Sequence, residues 1–322
     1  MRELAAVLIQ PVQEGYPTEY LLARVRARRA ELVTDWLAPS GPPETAAPLR
    51  HRAAYRGMTA AQASEKMRQE FRWVYLQMNQ GMRNLFAPLF LWFEVRTILI
   101  SLRLRRGGEK EQASPLLEAS LLGKRVQRVL RGEEEPFTGK DPLSELLKAD
   151  AGRSRALGAL YREQKGREYE EQFVVLYLER MARLTLHPVL REFSRSLIDQ
   201  VNLLALAKQL RWQLEDPRAL IGGGTIPKER LERVLKEGSA AGLVTLLRSQ
   251  PGLGELSAPP DDLEHFLLCR LTRKVRKLGR DPLGIGSILA YLWECYVQAR
   301  NARLVHHAQV PGGETPGAEL IG

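Results

Sequence analysis

At 322 residues, 44% hydrophobic and 27% charged, the chain is long enough to bury a proper core and has the composition of an ordinary soluble globular protein. Lysine and arginine number 48 against 38 aspartates and glutamates, a net charge of +10 that favours an anionic partner without choosing among nucleic acid, anionic headgroups and an acidic protein surface. The two cysteines, Cys269 and Cys295, exclude a disulfide framework and a zinc pattern and suit a reducing, cytoplasmic setting.

Taken in order, the chain opens on a short apolar run, Leu4 to Ile9, that follows an acid and is too short for a signal peptide. Residues 19–37 predict a helix with an apolar face at Leu21, Leu22, Val25, Leu32 and Val33 and a dense arginine surface at 24, 26, 28 and 29. Four prolines and a glycine make 38–48 a loop. A helical pattern resumes near Thr59, Pro88 is expected to kink or break it, and Gly107-Gly108 end it. The most apolar stretch, 85–93, is interrupted by Glu94 and Arg96 well short of the ~20 residues a spanning helix needs, so no transmembrane segment is expected.

Further helices are predicted at 115–131, around SELLKAD and RSRALGALYREQK, at 166–184, from Pro188 to Leu214, at 228–237 and near 240–249. The acid-rich 132–142 reads as a solvated loop. Asp261 and Glu264 form a capping box for a helix reaching Leu278, and the tail after Val310 reads as disordered. No alternating strand pattern or hairpin signal is present, so the fold class is all-α.

The best-marked stretch is 281–307. Gly279 is expected to end the preceding helix in the left-handed region, with Asp281 as N-cap and Pro282 at the first helical position. Apolar residues at 285, 288, 289, 292, 296 and 299, widened by Trp293, Val297 and Leu304, predict a helix buried on more than one side and roughly 37 Å long. Gly284 and Gly286 in its first turn suggest that another backbone approaches closely there.

Chemistry finds little to stand on. The run GGGTIPKER lacks the Gly-Lys-Ser/Thr ending and a preceding strand, GIGSIL follows a helix, and both read as turns. His51, His187, His265, His306 and His307 form no ligand pattern, and no nucleophile motif fixes a serine, so neither metal, cofactor nor catalytic residue is expected. The polar signal lies in three stretches, 24–29, 96–106 and 270–280, that are basic with no acid among them. They leave open a basic helical nucleic-acid-binding protein, although Trp73, Trp92 and Trp293 sit in apolar patterns as core residues do rather than among the basic ones.

YLLARVRARRAELV (20–33), LIDQVNLLALAKQLRW (197–212, with Asp199, Asn202 and Leu203) and DPLGIGSILAYLWECYVQARNARLV (281–305) resemble, in order, the opening, middle and closing helices of the family of V/A-type rotary ATPase C subunits, whose eukaryotic relatives are the V-ATPase d subunits. The resemblance implies three similar helical lobes, 1–107, 108–214 and 215–322, about a pseudo-threefold axis in a funnel-like body. Helical segments VRTILISLRLRR, VNLLALAKQLRW and VQARNARLVHHA, beginning at Val95, Val201 and Val297, recur at roughly 100 residues and fit that division. It further implies a non-catalytic central-stalk coupler on the cytoplasmic face of the membrane, with the proteolipid ring and the central shaft subunits as partners. Candidate contacts at related positions of the lobes are Arg96 and Arg103, Arg195 and Asn202, and Arg300 and Arg303.

Overall fold

A computed structural model describes residues 2–32, 36, 55, 57–148, 151–163, 166–213, 219–250, 262–308 and 320–321. Its helices, in chain order, are α1 (Arg2–Ala5), α2 (Thr18–Arg29), α3 (Ala60–Gln77), α4 (Gln80–Arg106), α5 (Ser114–Ala119), α6 (Lys124–Arg131), α7 (Pro142–Leu147), α8 (Ala151–Arg162), α9 (Gly166–Leu184), α10 (Pro188–Trp212), α11 (Lys228–Glu237), α12 (Ala240–Arg248), α13 (Leu263–Leu278) and α14 (Gly286–Ala308). Among the described residues, extended pairing is limited to two isolated bridges, Leu8 with Leu122 and Tyr16 with Met78. The fold is all-α. Two compact units emerge, residues 1–10 with 84–271 and residues 11–83 with 272–322.

In the second of these units α14 lies along α3 and α2. Its flanks are buried almost all round, from Gly286 and Ile288 through Trp293 and Cys295 to Asn301 and Ala302. An apolar helix that turns every face inward must satisfy its few polar side chains locally. One of them, Tyr291, joins a cluster around a single carboxylate: Glu70 of α3 accepts from the Tyr291 hydroxyl at 2.7 Å, from Arg28 of α2 at 2.6 Å and from Lys66 of its own helix at 2.9 Å. Arg28 also covers the ring of Trp73 at 3.8 Å, a cation–π contact that uses its delocalised charge. Burial disfavours ionisation of Glu70, but the hydrogen bonds from Lys66 and Tyr291 and the charge of Arg28 outweigh it and hold this carboxyl below the ordinary glutamate range. Burial and the Glu70 charge push the neighbouring Cys295 thiol up to about 12. Helix α3 opens on a reciprocal cap in which Thr59 Oγ1 accepts from Gln62 N–H at 3.2 Å and Gln62 Oε1 accepts from Thr59 N–H at 2.9 Å.

The larger unit is built on α9 and α10. Helix α9 packs against α7, α8 and α10, and α10 carries α11 and α12. Leu203 and Leu206 of α10 meet Leu231 and Val234 of α11, Leu243, Leu246 and Leu247 of α12 and Leu267 of α13 in one apolar cluster. The portion of α4 in this unit contributes Phe86, Phe90, Leu91, Val95 and Ile98 to the core. By length and mean hydropathy α4 could cross a bilayer, but 61% of its most apolar window is buried inside the protein, as expected of a core helix.

Several expectations need correcting. Pro88 does not break the chain: α4 runs unbroken through it, with Phe86, Ala87, Leu89 and Phe90 buried around it and the Pro88 carbonyl accepting from the Tyr177 hydroxyl. The interruption falls instead at Met78–Asn79, where the Asn79 side chain caps the new helix by accepting from Met82 N–H at 3.0 Å. Helix α2 stops at Arg29. The stretch 115–131 is two helices parted at Ser120–Gly123. Asp141, at the end of the acid-rich loop, is buried and N-caps α7, accepting from Leu143 and Ser144 N–H at 3.0 Å each. Asp261 and the proline-rich 38–48 lie outside the described residues, and the side chain that caps α13 is Asp262, which accepts from His265 N–H at 2.9 Å. The tail is not wholly free either, since Ile321 is 2% exposed.

The entry to α14 differs as well. Asp281 caps a turn, accepting from Leu283 N–H at 3.0 Å, and the helix itself starts at Gly286, so its 23 residues span roughly 34 Å. Gly279 is absent from the left-handed residues; a side chain there would meet Ala290 Cβ at 2.4 Å. A Cβ on Gly286 would lie 2.0 Å from the Leu278 carbonyl oxygen, whereas on Gly284 it would first meet the movable Asp281 carboxylate at 2.6 Å. Only Gly286 therefore bears out the expected close approach of backbone.

Gly286→Ala should accordingly lower the melting temperature through overpacking of about 1–3 kcal/mol, while Gly284→Ala should leave it nearly unchanged in the same denaturation experiment. Glu70 gives a pH signature. Its folded-state pKa is depressed, so its contribution is present above the unfolded value of about 4.3 and is lost as pH falls through the folded one. Chemical denaturation between pH 7 and pH 3 should show stability falling on the acid side for the native chain and a flatter acid limb for Glu70→Gln.

Candidate partner-binding surface

Three long helices each place one buried polar side chain against the backbone of a later segment. On α10, Asn202 donates from Nδ2 to the Ile221 carbonyl at 2.9 Å and accepts at Oδ1 from Ile221 N–H at 2.8 Å. On α14, Asn301 does the same with Ile321, at 2.8 and 3.2 Å. On α4, Glu94 accepts from Leu121 N–H at 2.7 Å; a carboxylate cannot donate, and the Leu121 carbonyl takes its hydrogen bond from Ile9 N–H at 2.8 Å. The three bracketed residues open the similar sequences Leu121-Leu122-Gly123, Ile221-Gly222-Gly223 and Ile321-Gly322. Beyond Ile221, Asp199 accepts from Thr225 N–H at 2.9 Å and Ile226 N–H at 3.0 Å. A Cβ on Gly224 would fall 2.2 Å from that carboxylate, so the glycine run is a turn moulded to α10.

The six candidate contact residues divide by environment. Arg96 and Arg195 are exposed and make no ion pair among the described residues. Arg103 is 62% exposed but forked onto Glu170 of α9, with donor–acceptor distances from 2.7 to 3.0 Å. Asn202 is buried and both ends of its amide are engaged by Ile221. Arg300 and Arg303 are half-buried near the end of α14, Arg303 donating to the Ala299 carbonyl at 3.2 Å, where cations face the negative end of the helix dipole.

The basic stretches are less unbalanced in space than along the chain. Arg28 meets Glu70, Arg103 meets Glu170, and Arg276 meets Glu294 at 2.6 Å. Arg105 reaches the Val129 and Glu134 carbonyls at 2.6 and 2.7 Å and the Glu135 carboxylate at 2.8 Å. Each acid comes from another helix or loop, which no scan along one helix detects. Within the three basic stretches, the cations that remain exposed with no ion pair among the described residues are Arg96 in the larger unit and Arg24, Arg26, Arg273, Lys277 and Arg280 in the smaller. Leu283, 77% exposed in the turn beside Arg280, is the most prominent apolar side chain of the smaller unit's described surface after Val12. No group of three His, Cys, Asp or Glu among the described residues is arranged to hold a metal ion. Trp293 bears out its reading as core, its indole N–H donating to Thr272 Oγ1 at 2.9 Å.

Residues 53–308 match the family model described as ATP synthase (C/AC39) subunit. No curated protein matches the chain significantly. The matched span contains the stretches 197–212 and 281–305 and leaves out 20–33. It covers well over half of the chain, which therefore belongs to that family, a family of V/A-type ATPase subunits.

Replacing Asn202 by Ala would strip the buried N–H and C=O of Ile221 of their partners, at about 1–3 kcal/mol for each orphaned group. A thermal melt should show that loss for Asn202→Ala and almost none for Arg195→Ala, whose side chain is exposed.

Proposed function

We propose that the chain is the non-catalytic central-stalk coupler of a V/A-type rotary ATPase, seated on the cytoplasmic face of the membrane proteolipid ring and receiving the foot of the central shaft. The observation that carries this reading is the family match over residues 53–308. A part that passes torque must resist twisting, and long helices packed in an apolar core with internally paired charges supply that stiffness. In this reading the lobes 1–107, 108–214 and 215–322 are related copies. A buried polar side chain on each of α4, α10 and α14 that holds the backbone of a later segment, at comparable intervals, supports that division, with Asn202 and Asn301 taking both groups of one residue and Glu94 taking one.

Contacts to a rotating partner are expected to be polar and exposed, so Arg96 and Arg195 are the strongest of the six residues for that role, with Arg300 and Arg303 at the end of α14 next. Arg103 and Asn202 contribute by holding the body together. A peripheral protein gripped by surface charges is released by salt, since exposed pairs are screened beyond a Debye length of about 8 Å at physiological ionic strength. The chain should therefore sediment with native membranes, come off in high-salt or chelator washes, and copurify with shaft and ring subunits. Arg96→Glu with Arg195→Glu should weaken retention at low salt without lowering the melting temperature. Recovery of the native chain only in the soluble fraction, bound to neither ring nor shaft, would refute this assignment.

A further inference from the structure

A cavity of about 740 Å³ opens between α4, α9 and α10 in the larger unit. Its lining includes the apolar Leu99, Val174, Val201 and Leu204 and the cations Arg103, Arg106, Arg167 and Lys208. Two of these are neutralised: Arg103 by Glu170, and Arg167 by Glu171 one helical turn away at 3.2 Å. Arg106 and Lys208 have no ion-pair partner among the described residues. Glu264 also lines the cavity and is the one lining carboxylate that lies in neither of those pairs.

Arg106 is the informative side chain. Its Nη1 is sealed from solvent and has no hydrogen-bond partner, while its Nη2 occupies the space a Cβ on residue 166 would need, 2.5 Å away, so that Gly166 leaves room for the guanidinium. Protein atoms shield that nitrogen, so what Arg106 brings to the cavity is its positive charge, which no acid among the described residues balances and which lies in the same lining as Lys208. The volume lies within the roughly 300–1,000 Å³ of small-molecule sites, which combine an apolar wall with a few placed polar groups.

We propose that this cavity binds a small amphipathic anion, with a phosphate or carboxylate head on Arg106 and Lys208 and an apolar chain over Leu99, Val174, Val201 and Leu204. The shared chemistry is one anionic head on one aliphatic tail. It does not depend on the coupler assignment, because every residue involved belongs to this chain.

Isothermal titration of the full chain with decyl phosphate, kept below its micelle concentration, tests the site. Saturable one-to-one binding is expected. It should weaken at least about tenfold in Arg106→Gln and in Lys208→Gln, each of which removes a charge-assisted contact. Val201→Trp, which bulks out the apolar lining, should abolish it. Decanol and inorganic phosphate should each bind at least tenfold more weakly than decyl phosphate, since each lacks one half of the ligand, and decanoate in parallel tells a carboxylate head from a phosphate. Because Nη1 is buried without a hydrogen-bond partner, Arg106→Gln should keep or raise the melting temperature while losing affinity; a purely structural arginine would do the reverse. If Arg106→Gln fails to fold, Lys208→Gln and Val201→Trp carry the test. Unsaturable uptake, equal binding of decanol, or undiminished affinity in Lys208→Gln and Val201→Trp would overturn the proposal.

Discussion

A chain segment that leaves one helix and crosses the apolar face of another brings peptide groups with it, and those groups must be satisfied away from water. The protein meets this demand with a side-chain amide or carboxylate in the middle of a long helix. Asn202 and Asn301 present one donor and one acceptor and so take both groups of a single residue, Ile221 or Ile321, as a neighbouring strand would. Glu94 can take only the N–H of Leu121, and the missing donor arrives from Ile9 near the start of the chain. The position of these segments determines much else. Once Ile221 is fixed, Asp199 can gather the turn at Thr225 and Ile226, and the turn in turn delivers α11 to its place against α10.

Charge is handled in the same economical way. The chain carries an excess of arginine, yet many of its guanidinium groups lie against acids or carbonyls of other elements, where their planar donor fork can make several hydrogen bonds at once. The net positive field that remains is concentrated on fewer residues than composition suggests. A surface of that kind discriminates among partners by the position of its charges more than by their number. The family match gives no support to a nucleic-acid reading.

The fold class was legible in sequence because long amphipathic patterns bounded by Gly and Pro are strong signals: the 166–184 helix and the helices at 228–237 and 240–248 fall almost where periodicity puts them. Local rules failed where tertiary contacts outvoted them. Pro88 stays inside a helix whose neighbours are all core residues, and the Asp281-Pro282 start signal is overridden by a turn in which Ser287 donates to the Asp281 carbonyl at 2.7 Å. The acids that balance the basic stretches were invisible for a simpler reason, as they are tens of residues away along the chain. Asn202 was found by its resemblance to a family segment, yet its bracket on Ile221 could have been suspected from a buried amide placed opposite a Leu-Ile-Gly run. The equivalent signal at Asn301 was masked by the polar look of the tail.

Cys295 carries a last consequence. Its thiol sits wholly inside the smaller unit among Tyr291, Tyr55 and Glu70, and its raised pKa keeps it in the unreactive protonated form. Cys269 is only partly covered and contacts His265 Nε2 at 3.3 Å. The rate at which Cys295 is alkylated, set against that of Cys269, therefore reports how readily α14 lifts away from α3, and with it the free energy of opening around the Glu70 cluster.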